Sequence, residues 1–96
     1  MQIIKTKKQA AEIIKNMDIT EEILFENDPS ISMINGGNTI LTRVEDDLFT
    51  DFSYGQNWSD QIATELTEYE AVEYLFKKRK CYNDIVRKMN NPELFF

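Results

Sequence analysis

The chain of 96 residues contains no histidine, only one cysteine, three glycines and two prolines. Without histidine it lacks the commonest general base, the commonest metal ligand and every Ser-His or Cys-His nucleophile system. The one thiol, Cys81, has no partner for an intramolecular disulfide, which favours a reducing, intracellular setting. The bias toward Ile, Asn, Lys and Glu is typical of AT-rich bacterial or phage genomes. We therefore expect a protein of the bacterial host cytoplasm.

Long apolar runs are also missing. No stretch approaches the roughly 18 residues that a membrane helix requires, and no apolar run follows the N-terminal lysines as it would in a secretory signal. We therefore expect no membrane contact. An apolar content of 42% with 11% aromatic residues indicates a folded chain, and its length suits one small domain over residues 1–96 with a single modest core.

Charge is distributed very unevenly along the chain. From Asp18 to Glu73 there are fourteen acids and one cation, Arg43, which gives this span a formal charge of −13. Both termini are basic, and the net charge of the whole chain is −6. A field of one sign attracts a partner of the opposite sign and repels a like one.

Two segments carry the Ser/Thr-x-x-Glu/Gln capping box that begins many helices. Thr6 and Gln9 begin a predicted helix over about residues 7–17, because apolar residues recur behind them at helical spacing. Thr67 and Glu70 begin a long predicted C-terminal helix that ends before Pro92. Its apolar stripe is interrupted at residues 77–80, where either the helix kinks or the lysine stems cover the edge of the core.

The region between these helices is predicted to be mainly β-structure. Thr20 followed by Glu21 and Glu22 first predicts a short helix that ends at Asp28-Pro29. Alternating or β-rich residues then predict three strands and a fourth segment compatible with strand or helix: Ser30–Ile34, Thr39–Val44, Leu48–Tyr54 and Gln61–Leu66. Gly and Asn at positions 35–38 suit a hairpin turn. The predicted fold is α+β: an N-terminal helix, a three- to four-stranded antiparallel meander, and a long C-terminal helix packed on one face of the sheet.

The acidic span suggests a surface that imitates the phosphates of a nucleic acid. Helix neighbours at i,i+3 lie about 5–6 Å apart, close to the spacing of phosphates along a strand. Acids of the C-terminal helix fit such a row, acids of a turn form a second group, and one tryptophan is expected to be partly exposed as an interface anchor. The candidate partner-binding residues are Glu45, Asp46, Asp47, Asp51, Trp58, Glu65, Glu68, Glu70 and Glu73.

Other interpretations of the charged residues remain open. The acids at 45–51 are dense enough to bind a divalent cation, although they lack the alternating pattern and central glycine of a calcium loop. An ordinary acidic surface that keeps a small protein in solution is another alternative. No Gly-rich loop followed by Lys-Ser/Thr is present, and we expect no cofactor and no enzymatic activity.

Small size, acidity and the absence of histidine are similar to the character of phage-encoded DNA-mimic inhibitors, such as anti-CRISPR proteins and uracil-DNA glycosylase inhibitors. The resemblance is one of composition and covers no aligned segment or family motif. It implies an inhibitor of a basic nucleic-acid-binding protein, for example a CRISPR effector or a DNA-repair enzyme. The basic run at residues 77–80 departs from this pattern.

A second functional interpretation is a dimeric structural or regulatory module. It would associate through the C-terminal helix and the apolar tail Leu94-Phe95-Phe96, since an apolar terminus buries itself either on its own core or against another copy. Direct binding of nucleic acid is disfavoured by the overall acidity.

Overall fold

The computed structural model of the chain describes residues 3–28, 37–54 and 62–90. Its elements follow one another as α1 (Lys7–Lys15), β1 (Glu22–Asp28), β2 (Gly37–Glu45), β3 (Leu48–Tyr54), β4 (Ile62–Leu66), α2 (Glu68–Lys77) and α3 (Arg79–Asn90). The strands form one antiparallel sheet in the order β1-β2-β3-β4. The predicted α+β class and the four-stranded meander are therefore confirmed.

Both predicted capping boxes are present. The backbone N–H of Gln9 donates to the Thr6 hydroxyl at 3.3 Å, and the Thr6 N–H donates to the Gln9 side chain at 3.0 Å. Thr67 and Glu70 repeat this exchange at 3.2 and 3.0 Å. Each box satisfies backbone donors that the first helical turn leaves without partners. Local sequence therefore set where α1 and α2 begin.

The predicted short helix after Thr20 is wrong, because this segment forms β1. Ile23 and Phe25 point toward the core, and Phe25 is fully buried, whereas Leu24 is exposed. This alternation has the period of a strand. Thr20 has a φ of 77°, an unfavourable value for a β-branched residue, and its N–H donates to the Arg43 carbonyl at 2.7 Å. Pairing with β2 thus overrides the local capping signal.

The neighbouring predictions have mixed outcomes. The predicted strand Ser30–Ile34 lies outside the described residues, and β1 pairs with β2 instead. Gly37 and Asn38, predicted to be in the turn, begin β2. The prediction for Leu48–Tyr54 matches β3, and the ambiguous segment at 61–66 is a strand over its described part, Ile62–Leu66.

The C-terminal helical region consists of two helices rather than one continuous helix. The break occurs at Lys78, within residues 77–80, where a kink was one of the two predicted alternatives. At the break, the Arg79 guanidinium stacks 4.3 Å from the centre of the Phe76 ring, and the Lys78 ammonium lies 4.9 Å from the Tyr74 ring. Such cation–π contacts keep the charges at the surface while the stems cover apolar atoms.

The core lies between one face of the sheet and the three helices. Its fully buried side chains include Phe25, Leu41 and Phe49 from the sheet and Leu75 and Val86 from the helices. The sheet residues share a face because alternate residues of each strand point the same way in the observed register. Mainly α3 covers β1, while α2 lies over β3 and β4 and packs against α1.

A buried pair of hydrogen bonds joins the two ends of the fold. The Ile4 N–H donates to the Asn83 side-chain oxygen at 2.7 Å, and the Asn83 amide donates to the Ile4 carbonyl at 2.9 Å. Ile4 and Asn83 are both buried. The side chain of Asn83 therefore supplies the partners that an extended backbone at this position requires.

The side chain of Arg43, a residue of β2, joins the C-terminal end of α1 to the β2–β3 turn. Its guanidinium donates to the carbonyls of Ile14, Lys15 and Met17 at 3.4, 3.2 and 2.7 Å, at the C-terminal end of α1. It also donates to the Glu45 and Asp46 carbonyls of the β2–β3 turn at 3.4 and 2.8 Å. A cation is favourable at a helix C-terminus, where unpaired carbonyls concentrate negative charge.

We predict that Arg43→Ala lowers the free energy of unfolding by roughly 2–4 kcal/mol, because it leaves part-buried carbonyls without donors. Arg87→Ala is the matched control. Arg87 pairs with Asp84 at 3.3 Å, but its side chain is 51% exposed, so its loss is expected to cost less than about 0.5 kcal/mol. Urea denaturation of both variants measures the difference, and equal losses would contradict a central role for Arg43.

Candidate functional site

Eight acids gather at one end of the sheet. The strands are antiparallel, so β1 begins, β2 ends, β3 begins and β4 ends at this same end. The turn before β1, the β2–β3 turn and the start of α2 lie there too. We call this surface the acidic end and define it by Asp18, Glu21, Glu22, Glu45, Asp46, Asp47, Glu65 and Glu68.

Specific hydrogen bonds bring these separate segments together. The Asp47 carboxylate accepts from the Glu68 N–H at 2.8 Å, which joins the β2–β3 turn to the N-terminus of α2. The Glu21 carbonyl accepts from the Arg43 N–H at 3.1 Å, which places the turn before β1 beside the end of β2. A carboxylate at a helix N-terminus is favourable because the backbone N–H groups there carry partial positive charge.

The only cation of the acidic span points inward. The side chain of Arg43 is 12% exposed, and its guanidinium lies 3.8 Å from the Glu68 carboxylate, which is 43% exposed. The side chains of the other seven acids are exposed. Solvent or a partner therefore meets carboxylates at this end, while the cation that relieves their repulsion is largely covered.

Two of the predicted site residues on α2 make contacts that stabilise the fold. Glu70 forms the capping box with Thr67, and Glu73 forms an ion pair with Lys7 of α1. Lys7 also lies 5.5 Å from the Tyr69 ring. Of the predicted row of acids along α2, Glu70 and Glu73, which follow Glu68, are therefore engaged in contacts within the chain.

Three further predicted site residues occupy different places. Asp51 faces the helices and accepts a hydrogen bond from the Tyr74 hydroxyl at 2.8 Å, so it does not belong to the acidic end. Glu65 pairs in register with Thr50 and belongs to the acidic end, where it is exposed on the face of the sheet away from the helices. Trp58 lies outside the described residues.

Asp18, Glu21 and Glu22 belong to the acidic end, although they were not among the predicted site residues. The incorrect helix prediction for this segment concealed their position beside the end of β2. The signal that could have revealed it is the alternation of Ile23 and Phe25, which has the period of a strand. Reading that alternation as β1 would have placed Glu22 at a strand start.

The basic run lies at the other end of α2. This helix begins at Glu68 and ends at Lys77, and ten residues of α-helix span about 15 Å. Acids near its N-terminus and cations near its C-terminus both complement the helix dipole. Glu68 and Lys77 therefore lie at opposite ends of α2.

The described acids do not form a compact cluster of metal ligands. Across the described ranges 3–28, 37–54 and 62–90, no group of three or more Cys, Asp or Glu residues is arranged to hold a metal ion. The acids instead spread over turns, a strand and a helix start. Within these same ranges, no helix is both long enough and apolar enough to cross a membrane.

Comparisons with known proteins add no relative. No protein-family model matches this chain, and no curated protein or solved structure shows significant similarity to it. Any function must therefore be argued from the arrangement of its own residues.

We predict that the acids separate into two classes by their effect on stability. Glu70→Ala removes half of a capping box and is expected to lower the free energy of unfolding by about 0.5–1 kcal/mol. Glu45→Ala alters an exposed side chain and is expected to change it by less than about 0.5 kcal/mol. Thermal denaturation of both variants provides the measurement. A loss for Glu45→Ala as large as for Glu70→Ala would show that the turn acids are also structural.

Proposed function

We propose that this chain is a non-enzymatic binding protein that inhibits a nucleic-acid-binding protein by presenting its acidic end in place of nucleic-acid phosphates. One observation carries the proposal: three segments distant in sequence bring eight acids to one end of the sheet, while the only cation of the span is largely covered. A surface chosen only for solubility has no need to separate its charges in this way, since mixed signs suffice.

The partner's chemistry follows from the surface. A groove that binds nucleic acid is lined with Lys and Arg side chains. The carboxylates of the acidic end carry the same negative charge as phosphates and can form ion pairs with those side chains. Such attraction raises the association rate and weakens steeply with salt. The covered position of Arg43 matters because an exposed cation among the acids would repel the same groove.

The residues of the acidic end have different roles in this proposal. Glu45 and Asp46 flank the β2–β3 turn and make the first contacts with the basic groove, while Asp47 joins this turn to the start of α2. Glu65 and Glu68 flank the turn on one side, and the acids of the Asp18–Glu22 segment flank it on the other. The proposal rests on these acids alone and needs neither Asp51 nor Trp58.

The composition favours one version of the proposal. A small, acidic chain without histidine suits a phage or prophage inhibitor whose target is a CRISPR effector or a DNA-repair enzyme of the bacterial host. These enzymes hold nucleic acid in positively charged channels, which is the surface that the acidic end complements.

The test captures partners of the tagged full chain from a bacterial lysate at low and at high salt, with mass spectrometry to identify them. We expect a nucleic-acid-binding protein that is retained at low salt, released at high salt and displaced by duplex DNA. Purified, that partner should lose its DNA in a gel-shift assay when the chain is added. Recovery of no such protein, or of a partner indifferent to salt and DNA, would overturn the proposal.

The double variant Glu45→Lys with Asp46→Lys is expected to weaken binding by about tenfold or more, since each reversal replaces attraction by repulsion on the order of 1 kcal/mol. The single variant Glu45→Lys is also compared with Asp84→Lys as its control. Each reverses one charge at an exposed position, so the two single variants match in net charge. Equal losses of affinity in the two single variants would show that only net charge matters, and no acidic end would be needed.

A further inference from the structure

A groove with a volume of about 600 Å³ follows the outer edge of β1, between α1 and α3. Ile23 points to the covered face of the sheet and Leu24 to the other, yet both line the groove, which places it along the edge of the strand. Its lining residues are Gln9, Glu12, Ile13, Asn16 and Met17 from the α1 region, Glu21–Leu24 from β1, and Tyr82, Ile85 and Met89 from α3.

The edge of β1 offers backbone hydrogen-bonding groups to this groove. β1 is the first strand of the sheet and has a neighbour, β2, on one side among the described strands. The Arg43 N–H donates to the Glu21 carbonyl, and bonded positions alternate along an antiparallel pair. Residues 21, 23 and 25 therefore face β2, whereas the N–H and C=O groups of Glu22 and Leu24 face the groove.

The groove also offers apolar side chains on both sides of that edge. Leu24 is 41% exposed and Met89 is 61% exposed, while Met17 and Tyr82 form a buried floor. Burial raises the pKa of the Tyr82 hydroxyl above its ordinary value, which already keeps this group neutral at physiological pH. A strand laid along β1 would direct alternate side chains toward α1 and α3 and the others toward Leu24.

The charges of the groove select the kind of segment that fits it. Among the described residues, its lining includes three acids, Glu12, Glu21 and Glu22, and neither Lys nor Arg. A second copy of this chain is a poor match, because most of its Lys and Arg residues lie in α1, α2 and α3 and cannot add as a strand. Lys5 lies outside the helices, but the backbone of the adjacent Ile4 is already hydrogen-bonded to Asn83. An extended segment with basic residues from another protein is the complementary occupant.

We infer that this groove is a docking site for an extended segment of a partner protein, which adds to β1 as a fifth strand. The segment carries apolar side chains at alternate positions and Lys or Arg beside them. Main-chain hydrogen bonds to Glu22 and Leu24 supply its register, and the pockets beside Leu24 and Met89 select its side chains. This site goes beyond the acidic end and does not depend on nucleic-acid mimicry.

The experiment selects binders for the full chain from a display library of random peptides. We expect enriched peptides to alternate apolar and polar residues and to contain Lys or Arg. When a synthetic copy of the most enriched peptide is added to isotope-labelled protein, NMR is expected to show shifts at the amides of Glu22–Leu24 and the methyl groups of Ile13, Ile85 and Met89. Failure of the library to enrich any peptide, or shifts confined to other residues, would overturn the inference.

Two exposed strand residues provide a matched pair of variants. Leu24 is 41% exposed and lies in the groove, whereas Val44 is 38% exposed and lies outside its lining. We expect Leu24→Asn to weaken peptide binding by about tenfold or more, and Val44→Asn by less than about twofold, because only the first loses apolar contact with the peptide. Equal effects of the two substitutions would contradict docking along β1.

The remaining outcomes separate this site from the acidic end and from self-association. The variant Glu45→Lys with Asp46→Lys is expected to keep its affinity for the peptide. Duplex DNA is expected not to displace the peptide from the groove. Neutralisation of the groove acids by Glu12→Gln with Glu22→Gln is expected to weaken binding of the basic peptide. Groove signals that shift with protein concentration alone, and no longer do so in Leu24→Asn, would assign the groove to a second copy and overturn the inference.

Discussion

The fold depends on one guanidinium group that faces many oxygen atoms. Arg43 donates to carbonyls at the end of α1 and in the β2–β3 turn and lies close to the first carboxylate of α2. Its backbone also pairs with the segment that enters β1. A lysine cannot replace it, because a single ammonium group cannot direct donors along several fixed directions at once. Within the acidic span it is the only positive charge, so its position determines how closely the acids can approach one another.

The acids of this protein perform two kinds of work. Some stabilise the fold: Asp47 and Glu70 accept hydrogen bonds at the start of α2, Glu73 pairs with Lys7, and Asp51 accepts from Tyr74. Others, such as Glu45, are exposed at the acidic end. The two kinds cannot be told apart by counting charges, because their difference lies in what each carboxylate contacts. The proposed binding surface therefore contains fewer acids than the acidic span, and these acids lie at one end of the sheet.

The acidic end and the groove meet at Glu21 and Glu22. In our two proposals both surfaces bind a basic partner, but they offer it different chemistry. The acidic end presents eight acids beside the exposed side chains of Ile19 and Val44, whereas the groove presents strand-edge hydrogen bonds and apolar side chains beside a few acids. A single large partner can contact both at once, and its affinity would then combine a salt-dependent contribution with a salt-insensitive one.

The sequence by itself determined the features that depend on near neighbours. The capping boxes at Thr6 and Thr67, the strand Leu48–Tyr54 and the interruption of the apolar stripe near Lys78 each result from residues a few positions apart. Tertiary structure decided the rest. Residues 22–28 became a strand because pairing with β2 and burial of Phe25 outweigh a local helix signal. Asp51 faces α2 and accepts a hydrogen bond from Tyr74. Arg43 makes many hydrogen bonds because the end of α1 and two turns lie close to it. These outcomes depend on contacts between residues that are distant in sequence, such as Phe25 with Thr39, Tyr74 with Asp51 and Arg43 with Met17. A pattern of neighbouring residues does not contain the energies of such contacts.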